Sequence, residues 1–441
     1  MKYLMLLGVL GFTLFVGTLS WIYQFTQTDA PLSPQAKALL SHLPKTKRDS
    51  EAYFHLMGIH ANPEANPLDV GRSVYRSIVE ATAEYRTSGG TFHYQPYPRD
   101  RRLSLPEGPA FCEFDEPGCL RRLLEDPEIV AEALDEHALL AQRYGVFLGL
   151  DDYRTLSDPL IEEPVPPFQY LIKGARLALL KSVARFQEGD VQKALTDIGT
   201  HINRLQEQLR KQDTLIGKIV VAAIINDSLD VAMVLARRSG EKTGLELRRL
   251  SAGAMDFTQP IAREFAMLNE MADHLDRAPN FFSEDQKVPG WLVRIVFKPN
   301  MTVNAMVPVY SRQIAYSQLS HAELGKRLHS DAPIELSKDP LRNYIGDKLN
   351  AIAMPRLSDY VVRVHDVDVR IALFNTLANA ADIDKALLEF RNPYDASLPP
   401  PSRSEDRTAV CFEGPAIHDG PEKCLRVALG NATTIEPQPT P

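Results

Sequence analysis

From Tyr3 to Thr28 the chain carries no charged side chain, and as a helix that stretch is long enough to cross a hydrocarbon core of roughly 30 Å. Leucine, valine and phenylalanine dominate it from Leu4 to Leu19, and Trp21, Tyr23 and Phe25 gather at its far end, as suits a membrane interface. The competing reading is a cleaved secretory signal, whose apolar region spans about 7 to 15 residues before a small-x-small site. Here Gly17, Thr18 and Ser20 run into the bulky Trp21, Ile22 and Tyr23, so an uncleaved transmembrane helix is expected. Lys2 lies on its short side, and the first charges beyond it are Asp29 and Lys37. Positive charge favours the cytoplasm, which places the bulk of the chain in the periplasm or outside.

Cysteine usage agrees with an oxidising compartment. The four cysteines fall into two local pairs, Cys112 with Cys119 and Cys411 with Cys424, and two local disulfides are the economical reading. The alternative is zinc, but neither pair is a CxxC and neither has a histidine at ligand spacing. No metal and no cofactor is expected. The formal net charge of -8 gives no electrostatic footprint for nucleic acid, and apolar and charged fractions of 44% and 24% describe a folded chain rather than a disordered one.

Proline, glycine and apolar period divide the remainder into helical blocks. The expected organisation is an anchor over residues 1–28 with a short cytoplasmic end, a tether over 29–49 and a helical subdomain over 50–167 that carries the Cys112–Cys119 loop. A main helical domain over 168–391, an extended segment and β-hairpin over 392–430, and a disordered tail over 431–441 follow. Within the main domain, two helices flanking Gly189-Asp190 read as one tetratricopeptide-like hairpin, without the further copies that a solenoid requires. The segment Leu215 to Leu235 is apolar enough to resemble a second span. It contains Lys218, Asn226, Asp227 and Asp230, and two aspartates would cost roughly 5 to 7 kcal/mol at a helix centre in the bilayer, so it is expected as a buried core helix. Ala409 to Glu413 and Cys424 to Leu429 alternate in polarity, and a hairpin clipped by Cys411 and Cys424 is expected there. The fold class is thus mainly α, an irregular multi-helix domain with a small β-hairpin at its end.

Four stretches stand out together: Tyr53 through Leu56-Met57-Gly58, Asp213-Thr214-Leu215-Ile216-Gly217-Lys218, Ile352-Ala353-Met354-Pro355 followed by Tyr360, Arg363 and His365-Asp366, and Arg391-Asn392-Pro393-Tyr394. In these the chain resembles a family of uncharacterised, membrane-anchored proteobacterial envelope proteins. The resemblance implies an α-rich fold, placement in the bacterial envelope and no particular activity; with the N-terminal span, the expected location is the bacterial inner membrane, single-pass.

Candidate chemistry concentrates between Arg356 and Arg370. Asp359 with Arg363 and Asp366 with Arg370 are spaced i,i+4, and Arg363 with Asp366 i,i+3, so one helix face can hold an ion-pair ladder. In a cleft, His365 with Asp366 or Asp368 would supply acid–base chemistry and Arg363 an anion contact; on a surface the same pattern is a solvated salt-bridged face. Arg99, Arg101 and Arg102 form a basic cluster that suits either lipid headgroups or a solvated loop. His274 follows Glu270 by four residues, and His321 and His329 flank Glu323, without an HExxH motif. Neither GxSxG nor a Walker A sequence is present. The reading is therefore a tethered binding or scaffolding component of the envelope, partnered by the membrane through residues 3–28 and by another envelope protein. The alternative is a periplasmic enzyme, such as a hydrolase, built on Arg363, His365 and Asp366.

Overall fold

The computed structural model describes residues 15–18, 28–44, 49–88, 92–114, 116, 118–240, 243–275, 290–352, 354, 356–415 and 423–429. The expected N-terminal span therefore lies outside the described residues, except for a helical turn at 15–18 in which Phe15 and Val16 are exposed. The tail over 431–441 also lies outside them.

Helices dominate. They are α1 (Pro34–Leu40), α2 (Glu51–Met57), α3 (Pro67–Ser88), α4 (Cys119–Glu125), α5 (Pro127–Glu136), α6 (Ala138–Gly149), α7 (Phe168–Gln187), α8 (Val191–Lys211) and α9 (Leu215–Arg238). After these come α10 (Ala252–Met255), α11 (Thr258–His274), α12 (Gly290–Val296), α13 (Pro299–Ser317), α14 (His321–Ser330), α15 (Tyr344–Ile352), α16 (Leu357–Leu377) and α17 (Ile383–Glu389). Their starts follow from local chemistry. Ser33, Ser50, Asp126, Asp190, Thr214, Ser251, Ser320 and Asp382 each cap a helix through a side-chain oxygen, satisfying amides that have no partner inside the helix.

The core is one continuous cluster of apolar side chains running from Ala36 to Val427. At its centre lies α9, 24 residues long, packed by α7, α8, α16 and the C-terminal sheet. Among the described residues it is the helix long and apolar enough to cross a membrane, and 67% of its most apolar window is buried inside the fold. Its charges are met by protein: Lys218 Nζ donates to Leu209 O at 3.2 Å and Ala254 O at 2.8 Å, and Asp230 accepts from Arg370 Nη2 at 2.6 Å. The long apolar helix that the structure describes is thus mid-chain and packed as a core element.

Helices α7 and α8 fold back on each other through Gly189, whose φ of 88° is open to glycine at little cost. The tetratricopeptide likeness goes no further. The helices have 20 and 21 residues, too long for a pair that fits a repeat of about 34 residues, and their neighbours α6, α9 and α16 do not repeat the pattern.

Both disulfides are formed, Cys112–Cys119 and Cys411–Cys424. The expected C-terminal hairpin is present but has a third strand. β1 (Ser402–Arg403) pairs antiparallel with β2 (Ala409–Cys411), which pairs antiparallel with β3 (Cys424–Arg426) and sets Cys411 opposite Cys424. β1 comes from the stretch read as extended or loop, because two residues show no period of their own. Val410, Leu425 and Val427 face inward.

The segment after residue 28 is fastened to the domain. The Asp29 carboxylate accepts from Asn300 N at 2.7 Å and Met301 N at 3.3 Å, at the positive end of α13. Thr28 O accepts from Arg342 Nη2 at 2.6 Å, and Asn304 bonds Ser33 N and Pro31 O.

Candidate functional site

The structure separates the residues singled out on α16. Arg363 is exposed, whereas His365, Asp366, Asp368 and Arg370 are each no more than 2% exposed. The described partners of the last three belong to other elements rather than to a ladder along one face. Tyr394 Oη donates to Asp366 Oδ1 at 2.7 Å. Asp368 forms a two-pronged pair with Arg249, lies 3.3 Å from His321 Nε2 and accepts from Leu250 N at 2.8 Å. Arg370 reaches Asp230 on α9, which also accepts from Arg426 N at 2.8 Å.

His365 sits among these groups with neither ring nitrogen hydrogen-bonded, its ring centroid 4.8 Å from that of His321. Desolvation, reinforced by His321, lowers its pKa to about 3, and His321 is lowered too, chiefly by burial. Both are neutral at neutral pH. The cluster fastens α16 to α9, α14 and the C-terminal sheet, and none of its residues lines the cavities of about 260 to 520 Å³ at the surface. The other flagged histidines are locally satisfied: His274 Nδ1 lies 2.8 Å from Glu270 O and His329 Nδ1 2.8 Å from Gly325 O. Arg102 donates to Tyr97 O at 2.8 and 3.2 Å. Among the described residues no group of three His, Cys, Asp or Glu is placed to hold a metal ion.

A different site emerges where α8 hands over to α9. A cavity of about 490 Å³ is bounded by the end of α8, the turn Gln212-Asp213, the loop carrying Tyr153 and Arg154, the stretch from Gly253 to Pro260, and His42 with Pro44. Its frame is built by capping. Thr214 Oγ1 accepts from Gly217 N at 3.1 Å to start α9. Asp213 accepts from Thr155 N at 2.9 Å and Thr155 Oγ1 at 2.6 Å, which holds the Tyr153 loop against that start. Asp256 does the same for Thr258 at the start of α11, at 2.9 and 2.6 Å. Lys218, 1% exposed, ties the last carbonyls of α8 to α10.

On this frame stand polar atoms with no partner. Arg154 Nε and both Oε1 and Nε2 of Gln212 are buried and unbonded, and Tyr153 Oη is buried next to the Thr155 side chain; Tyr153 and Gln212 are 4% and 2% exposed. Burial alone accounts for most of the rise in the Tyr153 pKa, which keeps the phenol protonated as a donor. Each buried group left unbonded costs about 1 to 3 kcal/mol, and natural folds leave few of them. The lining carries Arg154, Arg210 and Lys211 against Asp213 and Asp256. Arg210 is paired with Glu207 at 3.2 Å and Lys211 with Asp151 at 2.7 Å, but the Arg154 guanidinium has no ion-pair partner among the described residues.

Sequence reasoning missed this site. The stretch Asp213 to Lys218 was visible as a motif, but Tyr153, Arg154 and Gln212 lie on irregular backbone with no spacing of their own, and only the packing of four segments brings them together. No family model, no curated protein and no solved structure shows significant similarity to the chain.

Proposed function

We propose that this protein is a single-pass, membrane-tethered binding component of the bacterial envelope, its helical domain periplasmic, and that the cavity between α8, α9 and α11 holds a small carboxylate-bearing ligand. Arg154 and Gln212, which carry three unbonded buried polar atoms, line one cavity together with Tyr153, and this supports binding. Arg154 meets the carboxylate through its guanidinium, with Tyr153 and Gln212 beside it, and Asp213 and Asp256 accept from N–H groups further along the ligand. A peptide-like acid has this combination. The two disulfides and the uncharged run over residues 3–28 support the exported, tethered placement. A hydrolase acting through Arg363, His365 and Asp366 has less support, because His365 and Asp366 are enclosed by α14, α16 and Tyr394 while Arg363 points to solvent.

Calorimetric titration of the full chain in detergent with an N-acetylated dipeptide acid, its C-terminal amide and inorganic phosphate tests the reading. The acid is expected to bind at least tenfold tighter than the amide, and Arg154→Gln to erase the difference. Equal affinity of acid and amide, or no saturable binding of any probe, overturns it.

A further inference from the structure

The exposed apolar side chains of the domain are not scattered evenly. Leu292, Leu341, Tyr344, Ile352 and Met354 are 44%, 81%, 52%, 83% and 43% exposed, and they belong to α12, α15 and the segments beside it, which pack against one another and against α13. On α15 the outward stripe is Tyr344, Lys348 and Ile352, spaced i, i+4 and i+8, while Gly346 and Asn350 face inward. Lys348 Nζ lies 5.6 Å from the centre of the Tyr344 ring. Arg294, Lys338, Lys348 and Arg356 are exposed around these residues, with Glu335 the exposed acid nearby. Asp339 and Asp347 are engaged by backbone amides, Asp347 Oδ2 accepting from Asp339 N at 2.9 Å and Asp339 Oδ1 from Arg342 N at 3.1 Å.

Position decides what covers this face. Arg342, next to Leu341, donates to Thr28 O, and Asp29 is bound at the start of α13, on which α15 packs. Residue 28 is where the uncharged run ends. We infer that this face lies on the membrane itself: Leu341, Tyr344, Ile352 and Met354 enter the headgroup boundary of an anionic phospholipid leaflet, and Lys348, Arg294 and Arg356 sit among its phosphates. Short amphipathic surfaces of this kind bury their apolar side about 5 to 10 Å deep, long basic side chains reach back to the phosphates, and an anionic surface attracts each basic residue near it. The inference rests on the tethered reading, since the tether supplies the proximity.

The test uses the full chain in nanodiscs containing phosphatidylglycerol. A bimane label at Ile352→Cys is compared with one at Leu388→Cys, also exposed, at 67%, but on α17, which follows the far end of α16. Lipids brominated near the headgroup are expected to quench the label at 352 at least threefold more than that at 388, and Leu341→Asp with Tyr344→Asp to abolish the difference. Equal quenching at the two positions overturns the inference. Failure of the tether is read separately, as release of unlabelled protein from membranes by alkaline carbonate.

Discussion

His365 and His201 are buried histidines held neutral by the absence of water, at pKa values of about 3 and about 4. His201 contacts Tyr144 Oη at 2.6 Å, and Ser228 Oγ lies 3.4 Å from its other nitrogen. Both pKa values are depressed below the ordinary 6.5, so between the folded and unfolded values the unfolded chain binds more protons. Stability is therefore complete above about pH 6.5 and falls as the pH drops towards the folded pKa values. At pH 4.5 the loss should be about 2 to 3 kcal/mol for His365, and His365→Leu should flatten the difference between urea unfolding midpoints at pH 7 and pH 4.5 by that amount. Gln212 carries the opposite expectation. Its amide is buried and unbonded, so Gln212→Met should raise stability by about 1 kcal/mol while removing binding of the dipeptide acid. A melting temperature that falls together with the affinity would show that the amide serves the fold instead.

Among the elements, α2 and α3 meet more closely than side chains would allow. A Cβ at Gly71 would lie 1.8 Å from Phe54 O, and one at Gly58 would lie 2.0 Å from Pro67 O. Two glycines, each from beside or within one helix, admit the backbone of the other. Gly71→Ala should therefore destabilise by about 1 to 3 kcal/mol or more, measured by thermal unfolding, whereas Gly145→Ala, where a Cβ would meet nothing within 4 Å, should be neutral or slightly stabilising. Helix α16 shows what a sequence period leaves undecided. Its alternating acids and arginines suit a solvated ladder, yet valines at 361, 362, 364, 367 and 369 surround them and are buried, and Asp368 meets Arg249, Asp366 meets Tyr394 and Arg370 meets Asp230 on α9. Charge spacing along one helix is local; which neighbours it meets is not.

At the scale of the molecule, the two disulfides fasten separate segments to adjacent turns of α9. The Cys112–Cys119 loop is held through Arg176, which donates to Cys112 O at 2.5 Å, lies 3.3 Å from the centre of the Phe114 ring and reaches Asp227 at 3.4 Å. The Cys411–Cys424 sheet is held through Arg426 N to Asp230, one turn further on. Loops of these lengths restrict the unfolded chain by roughly 2.5 and 3 kcal/mol. Reduction should thus lower the melting temperature markedly, and the double variant Cys411→Ser with Cys424→Ser should lose roughly 3 kcal/mol with the helical circular dichroism signal nearly intact below the transition. Loss of helix in the unheated variant would mean that the sheet is required for α9 and α16 to pack.

The chain by itself determined which cysteines pair, that helical blocks fill most of its length and that 215–235 belongs to a core, because these depend on neighbours within a few residues or on how many charges a segment holds. Tertiary structure alone decided that His365 and Asp366 are sealed while Arg363 is not, that two residues at 402–403 complete a sheet, and that Tyr153, Arg154 and Gln212 stand around one cavity. Those facts depend on which distant segments exclude water from a side chain, and burial of that kind leaves no period in the sequence.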